Sequence, residues 1–173
     1  MMVIFVYSDL LYRVLVSHNN KQYMHQPLVA LLRTGKERCD EYVNQIKEAI
    51  RDFKVNKREK IGILRYVTYF EEFVKEAEVC WDPIKKDMYE KLCIIYQILV
   101  NEIFKGIESV ANDSQKTPPD VVRFQNYSQM NHIMRSINGL KESTKYARDQ
   151  YINWKQSYIK EHFGRPLEKL HVS

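Results

Sequence analysis

Residues that interrupt helices are scarce in this sequence. Only five glycines and five prolines occur among 173 residues. These two residue types dominate tight turns, so their scarcity argues against a turn-rich β-sandwich. Hydrophobic residues make up 45% and charged residues 28% of the chain, which is the balance of a folded protein and not of a disordered one. The composition therefore favours a folded protein built from long helices.

Cysteine is also scarce, and its spacing suggests no framework. The three cysteines, Cys39, Cys80 and Cys93, are odd in number and far apart in the chain. A disulfide scaffold needs an even set, and a zinc site needs closely spaced pairs. We therefore predict that all three are reduced thiols and that the chain is cytosolic.

A concentrated charge of one sign is absent. The 27 basic and 22 acidic residues leave a formal net charge of +5, and both signs are mixed along the whole length. Nucleic-acid-binding proteins usually concentrate their basic residues on one face. Nucleic-acid binding would thus rest on the overall pI near 9.0 alone, and we predict no nucleic-acid partner.

A long uninterrupted apolar run is absent as well. The most apolar stretch runs from Met1 to Val16, and Asp9 and Arg13 interrupt it. It is too short to span a bilayer and has neither a basic leader nor a small-residue cleavage site. Its pattern fits a helix or a strand.

Helical periodicity is the main signal that the sequence does contain. Apolar side chains recur at steps of three and four residues in five stretches, which predicts five amphipathic helices. The third is the longest and is apolar on more than one face, so it should be the most buried helix. The stretches are Cys39 to Phe53, Ile63 to Trp81, Ile84 to Val110, Phe124 to Ile137 and Leu140 to Tyr158.

Start and stop signals frame these stretches. Asp82-Pro83 predicts an N-cap followed by proline at the first helical position. Thr117-Pro118-Pro119-Asp120 predicts a second start, a variant of the capping box with Asp120 at the third helical position. Asn138-Gly139 predicts a break and Gly164-Arg165-Pro166 a final stop. Nearer the N-terminus, Pro27 should open a short helical stretch from Leu28 to Arg33.

The fold class predicted from these signals is all-α. Isolated amphipathic helices are marginal in water, so the five stretches must bury their apolar faces against one another. We expect an elongated antiparallel helical bundle or rod, with connections at Val55 to Lys60 and Asp113 to Thr117. Leu99, in the middle of the longest stretch, should lie in the core.

Residues that could carry catalysis are not arranged for it. No two of the five histidines lie three or four residues apart, as a helical zinc face requires. The glycines are scattered singly, so no phosphate-binding loop is predicted. Glu71 and Glu72 are adjacent on a helix and diverge by about 100°. We therefore predict no catalytic residue, no metal, no cofactor and no small-molecule substrate.

One local excess of positive charge stands out: Lys54, Lys57, Arg58 and Lys60. Such a run could contact anionic lipid headgroups or an acidic partner surface. A solvated loop between helices is the simpler explanation. We keep these four residues as a candidate anionic-surface contact, and peripheral membrane binding through them as the alternative function.

Three blocks of sequence are similar to one protein family. They are KREKIGILRYVTYFEEF at Lys57 to Phe73, VANDSQKTPPDVV at Val110 to Val122 and YIKEHFGRPLEKL at Tyr158 to Leu170. In this order they resemble the exocyst complex component 1 family. Its members are subunits of an octameric complex that tethers secretory vesicles to the plasma membrane.

The resemblance implies a non-catalytic helical rod whose partners are other exocyst subunits, held through helix packing. It also implies a cytoplasmic chain, peripheral at the plasma membrane as part of the complex. The family's upstream module for phosphoinositides and Rho-type GTPases has no counterpart here, so neither ligand is expected.

The resemblance covers residues 35–173, and residues 1–34 match poorly. We expect an N-terminal helical segment over 1–34 and a helical bundle over 35–173. Because the family continues past the third block, we also expect a fragment or a short form, with a bundle that is incomplete at its C-terminal end.

Overall fold

The computed structural model describes residues 25–56, 58–81 and 86–164. These residues form helices and contain no strand, which confirms the all-α prediction. The chain divides into two compact units, Met1–Glu48 and Ala49–Ser173.

Five α-helices occur within the described residues. A π-helical turn over Lys160–Gly164 follows the last of them. Each helix covers most of one periodic stretch of the sequence, with boundaries shifted by a few residues. The helices are α1 His25–Arg51, α2 Arg65–Trp81, α3 Lys86–Asp113, α4 Pro119–Met134 and α5 Lys141–Ile159.

Helix α1 is longer than its periodic stretch. It runs without a break from His25 to Arg51 and so joins the short stretch at Leu28 to Arg33 with the one that begins at Cys39. Val43 and Ile50 are buried on it. Phe53, the last residue of the predicted stretch, lies beyond the end of the helix.

In the second unit, α2 and α3 run antiparallel. The Tyr96 hydroxyl, near the start of α3, donates a hydrogen bond to Glu78 near the end of α2, at 3.2 Å. At the opposite end, Tyr66 at the start of α2 packs on Gly106 in the second half of α3. Pairing of the start of one helix with the end of the other defines an antiparallel packing.

Helix α4 returns antiparallel along α3, and α5 along α4. The Tyr127 hydroxyl donates to Glu108 of α3 at 2.9 Å, and Arg123 donates to Asn112 at 2.6 Å. Thr144, early in α5, donates to the carbonyl of Met134 at the end of α4, at 3.3 Å. The predicted antiparallel bundle is thus present in the second unit.

Helix α3 lies at the centre of this bundle. It supplies six of the eleven large side chains that are fully buried in the described part of the chain: Leu92, Tyr96, Leu99, Val100, Ile103 and Ile107. The prediction that this stretch forms the most buried helix is confirmed. Its burial is incomplete on one side, because Ile94 and Ile98 are exposed.

The capping prediction at Thr117 is wrong. Pro118 is the N-cap of α4, and no side chain makes a capping hydrogen bond there. The Thr117 hydroxyl instead accepts a hydrogen bond from the backbone N–H of Ile61, at 2.8 Å. Thr117 is buried. Its hydroxyl oxygen therefore provides a hydrogen-bond acceptor for a backbone N–H from a distant part of the chain.

The other boundary predictions divide into two groups. The break at Asn138-Gly139 is confirmed, because α4 ends at Met134 and α5 begins at Lys141. The start predicted at Asp82-Pro83 lies outside the described residues, as does the apolar stretch from Met1 to Val16. Of the stop predicted at Gly164-Arg165-Pro166, only Gly164 is described, as the last residue of the π-helical turn.

Candidate interaction surfaces

Metal-binding side chains are not clustered in the described part of the chain. Among the described residues, no group of three or more histidine, cysteine, aspartate or glutamate side chains could hold a metal ion. Nor is any described helix long and apolar enough to cross a bilayer. The features that carry functional information are therefore the connections between helices and the side chains on their outer faces.

The basic run lies in the connection between α1 and α2. Lys54, Arg58 and Lys60 are exposed there, and Lys57 lies outside the described residues. Asn56 orders the local turn by accepting a hydrogen bond from the Arg58 N–H at 3.1 Å and donating one to Glu59 at 2.8 Å. The three described basic side chains point to solvent in an ordered loop, and contact with an anionic surface stays a prediction.

Asn126 anchors the end of this connection to the bundle. Its side chain is fully buried in α4. Its Oδ1 accepts a hydrogen bond from the backbone N–H of Leu64 at 2.8 Å, and its Nδ2 donates to the carbonyls of Gly62 at 3.2 Å and Val122 at 2.8 Å. Together with the Thr117–Ile61 bond, this network fixes the segment that leads into α2.

The network brings the first two family-like blocks into contact. Ile61 to Leu64 belong to the block at Lys57 to Phe73, and Thr117 belongs to the block at Val110 to Val122. Two segments that are more than fifty residues apart therefore form one junction.

The third block reaches the same bundle through aromatic stacking. The ring of Tyr158 stacks on Phe124 with 5.4 Å between centroids and 7° between planes, and Tyr151 stacks on the same ring at 5.8 Å. Phe163 packs edge-on against Tyr158. These contacts join the end of α5 to the start of α4.

A cation–π contact reinforces this end of the bundle. The Arg123 guanidinium lies 4.6 Å from the centre of the Trp154 ring and donates to Glu108 at 2.8 Å. Arg123 therefore connects α3, α4 and α5.

A buried carboxylate links the end of α1 to α3. Arg51 donates two hydrogen bonds to Glu102, at 2.9 and 3.0 Å, and Lys105 donates a third at 3.1 Å. The hydrogen bonds from Arg51, followed by those from Lys105, lower the pKa of Glu102 to about 2. The carboxylate is therefore charged at every physiological pH and holds Arg51 against α3 within the second unit.

Apolar side chains are exposed on the outer faces of α3 and α5. Ile94 and Ile98 lie one turn apart on α3 and are 60% and 37% exposed. Ile152 and Ile159 lie two turns apart on α5 and are 37% and 47% exposed. Because each pair shares one face of its helix, the four isoleucines form two short apolar stripes directed away from the core. We call them the α3 stripe and the α5 stripe.

Sequence reasoning missed Asn126 and Glu102. Asn126 interrupts the apolar periodicity between Val122 and Met130, and a polar residue at a core position is a signal for a buried hydrogen-bonding role. Glu102 falls beside Leu99 and Ile103 in the longest apolar stretch and offers the same signal. Their partners lie on other helices, so the sequence does not name them.

A comparison with protein families finds a match to the C-terminal region of the exocyst complex component Sec3, over residues 1–172 of the chain. The match includes residues 1–34, where only a poor resemblance was expected. Among curated proteins, exocyst complex component 1 of Mus musculus is 36% identical over 154 residues, which cover 86% of the chain and 17% of the mouse protein.

The corresponding protein of Drosophila melanogaster is 32% identical over 169 residues, which cover 96% of the chain and 19% of the fly protein. The chain thus spans less than a fifth of the length of either relative. No solved structure matches it significantly.

Proposed function

The chain belongs to the family of the exocyst complex component Sec3 C-terminal region, and from that premise we propose that it is a non-catalytic scaffold segment of the exocyst. In this role it contributes to tethering secretory vesicles to the plasma membrane during exocytosis. Its relatives carry the name of an exocyst component, and its described residues form a helical bundle without a metal cluster.

The observation that carries this proposal is the pair of exposed apolar stripes. Ile94 and Ile98 of α3 and Ile152 and Ile159 of α5 keep helical spacing on surfaces that the described bundle leaves open. Exposed apolar surface at helical spacing is suited to packing against another amphipathic helix. We infer that each stripe receives a helix of another exocyst subunit.

The proposed partners are therefore the other exocyst subunits, with no small-molecule substrate and no nucleic acid. We propose a cytoplasmic location, peripheral at the plasma membrane, through the assembled complex. The division into a segment over residues 1–34 and a bundle over 35–173 stays a prediction.

The test is co-precipitation of purified chain with each of the other exocyst subunits at physiological salt. We expect the wild-type chain to retain at least one subunit. Replacing a stripe with the double substitution Ile94→Asp and Ile98→Asp, or Ile152→Asp and Ile159→Asp, should abolish that retention, because a charge cannot be buried without a partner.

The matched control introduces carboxylates away from both stripes, with Gln115→Asp and Lys116→Asp, both at exposed positions in the connection between α3 and α4. We expect this variant to retain the subunit. Circular dichroism and a melting curve establish that every variant is folded. Failure of the wild-type chain to retain any subunit, or full retention by both stripe variants, would contradict the proposal.

A further inference from the structure

A cleft with four basic residues opens beside the connection from α4 to α5. Its volume is about 540 Å³. Four basic side chains line it against one acidic side chain, Asp149, and the buried residues Met134 and Ile137 form an apolar part of the wall. The basic residues are Arg135, Lys141, Lys145 and Arg148.

The sequence and the fold assemble this cluster together. Lys141, Lys145 and Arg148 are spaced by four and three residues on α5, so they share one helix face. Arg135 is the C-cap residue of α4, and the return of the chain into α5 places it on the same cleft. The spacing of charges along the sequence reveals only the three basic residues of α5, without Arg135.

All four cations are without an ionic partner inside the described part of the chain. Each side chain is exposed, and none makes a salt bridge with another described residue. By contrast, Arg51, Lys105 and Arg123 are each paired with a glutamate. Like charges one turn apart repel each other, so the cluster carries a cost that an anionic ligand would relieve.

Asn131, which also lines the cleft, favours a ligand that can donate a hydrogen bond. It is only 6% exposed, and its buried Oδ1 has no hydrogen-bond partner. A buried carbonyl oxygen without a donor costs about 1–3 kcal/mol. A sulfate ion offers acceptors to the basic residues but no donor to this oxygen, and inorganic phosphate offers a donor only through its protonated oxygens. A peptide offers both, through side-chain carboxylates and backbone N–H groups.

We propose that this cleft binds an acidic peptide segment of a partner protein. Carboxylates of the segment would pair with Lys141, Lys145 and Arg148, and a backbone N–H would donate to Asn131. A concave site suits a peptide, whereas a flat membrane would meet the cations of the cleft less completely. This inference does not rest on the exocyst assignment, since charge and geometry alone carry it.

Fluorescence polarisation with a labelled peptide rich in glutamate and aspartate tests the proposal directly. The reference peptide has the same length, with glutamine and asparagine at those positions. We expect binding of the acidic peptide only, weakening as salt rises, because screening acts on exposed charges.

Lys145→Glu with Arg148→Glu should weaken binding by about tenfold or more, because both exposed cations are reversed. The control variant, Arg65→Glu with Lys116→Glu, makes the same change in net charge at two exposed positions outside the cleft and should leave binding within about twofold. Asn131→Ala should weaken binding severalfold while the melting temperature is unchanged or higher, because its buried Oδ1, unpaired among the described residues, lowers the stability of the free protein.

Two further probes test whether an anionic membrane or a soluble phosphate compound occupies the cleft instead of a peptide. Vesicles containing anionic phospholipid and soluble inositol phosphates are titrated under the same conditions, each in competition with the labelled peptide. Equal weakening by both charge-reversal variants would show general electrostatic attraction and overturn the proposal. So would failure of the acidic peptide to bind, or tighter binding of vesicles or inositol phosphates than of peptide.

Discussion

Buried polar side chains provide much of the specificity of the bundle at the residue scale. Asn126 and Thr117 bond to the backbone of the segment that precedes α2, and Glu102 accepts hydrogen bonds from Arg51. Each group must find its partner in one register, because an unpaired buried polar atom costs more than the bond gains. These residues therefore select one arrangement of helices among several that would bury the same apolar area.

Glu102 makes the stability of the second unit depend on pH. Its pKa is about 2 in the folded protein, below the ordinary value of 4.5, because Arg51 and Lys105 favour the charged form. A lowered pKa means that the stabilisation is fully present above the ordinary value and is lost as pH falls through the folded one. The free energy of unfolding should therefore fall between about pH 5 and pH 2.

Glu102→Gln should lower the free energy of unfolding at pH 7 by about 1–3 kcal/mol, since it removes a charge-assisted hydrogen-bond acceptor. The variant should also lose less stability than the wild type between pH 5 and pH 3. Urea denaturation at several pH values measures both effects. Glu142→Gln, at an exposed position of α5, is the control and should leave the pH dependence unchanged; an identical pH profile for Glu102→Gln would contradict this account.

At the scale of helices, close packing in this bundle depends on a glycine, Gly106. Gly106 lies where α3 meets the end of α1 and the start of α2. A Cβ atom there would lie 2.8 Å from Ile50 Cγ2 and 2.8 Å from the Tyr66 hydroxyl oxygen, closer than real contacts allow. Both neighbours are buried, so neither can move aside freely. Glycine has a low helix propensity, but at position 106 it fits a helix interior because the packing leaves no room for a Cβ atom.

Gly106→Ala should therefore destabilise the protein. Alanine gains about 1 kcal/mol of helix propensity over glycine, but forcing a methyl group into a packed core costs about 1–3 kcal/mol. We expect a net decrease in the melting temperature, measured by circular dichroism.

Gly62→Ala is the matched control, because a Cβ atom at Gly62 meets no atom within 4 Å. That change should be neutral or stabilising by up to about 1 kcal/mol. A higher melting temperature for Gly106→Ala than for the wild type would contradict the packing described here.

At the scale of the molecule, cooperativity of the second unit rests on α3. Side chains of this helix contact α2, α4 and α5, so these helices share one core through it. Leu99 is fully buried at the centre of this helix, and the preceding residue, Ile98, is partly exposed on the outer face.

Leu99→Asp should abolish folding, because an isolated charge in the core is far costlier than the stability of a typical domain allows. Leu99→Ala should retain the fold with a loss of about 2–5 kcal/mol. Ile98→Asp should melt like the wild type, since its carboxylate stays in water. Native helicity and a cooperative transition in Leu99→Asp would show that the core lies elsewhere.

Apolar periodicity predicted the helices well because burial of one helix face leaves a direct trace in sequence. The stretch at Ile63 to Trp81 matches α2, with Val67, Phe70, Val74 and Ala77 buried. The break at Asn138-Gly139 was equally visible, because an Asn-Gly pair between two apolar periodic stretches marks a turn. Capping by Thr117 was predicted wrongly. Its hydroxyl could accept a hydrogen bond either from the first turn of α4 or from the distant backbone N–H of Ile61, and in the structure it accepts the bond from Ile61.

The sequence by itself determined the helical class, the position of most helices and the family. Periodicity, scarce glycine and proline, and three blocks of residues are all local properties of the chain. Only the tertiary structure decided that Ile61 meets Thr117, that Glu102 receives Arg51, and that Arg135 joins three cations of α5 on one cleft. Such pairings depend on how helices return past one another, and the side chains in each pair lie far apart in sequence or on opposite sides of a turn.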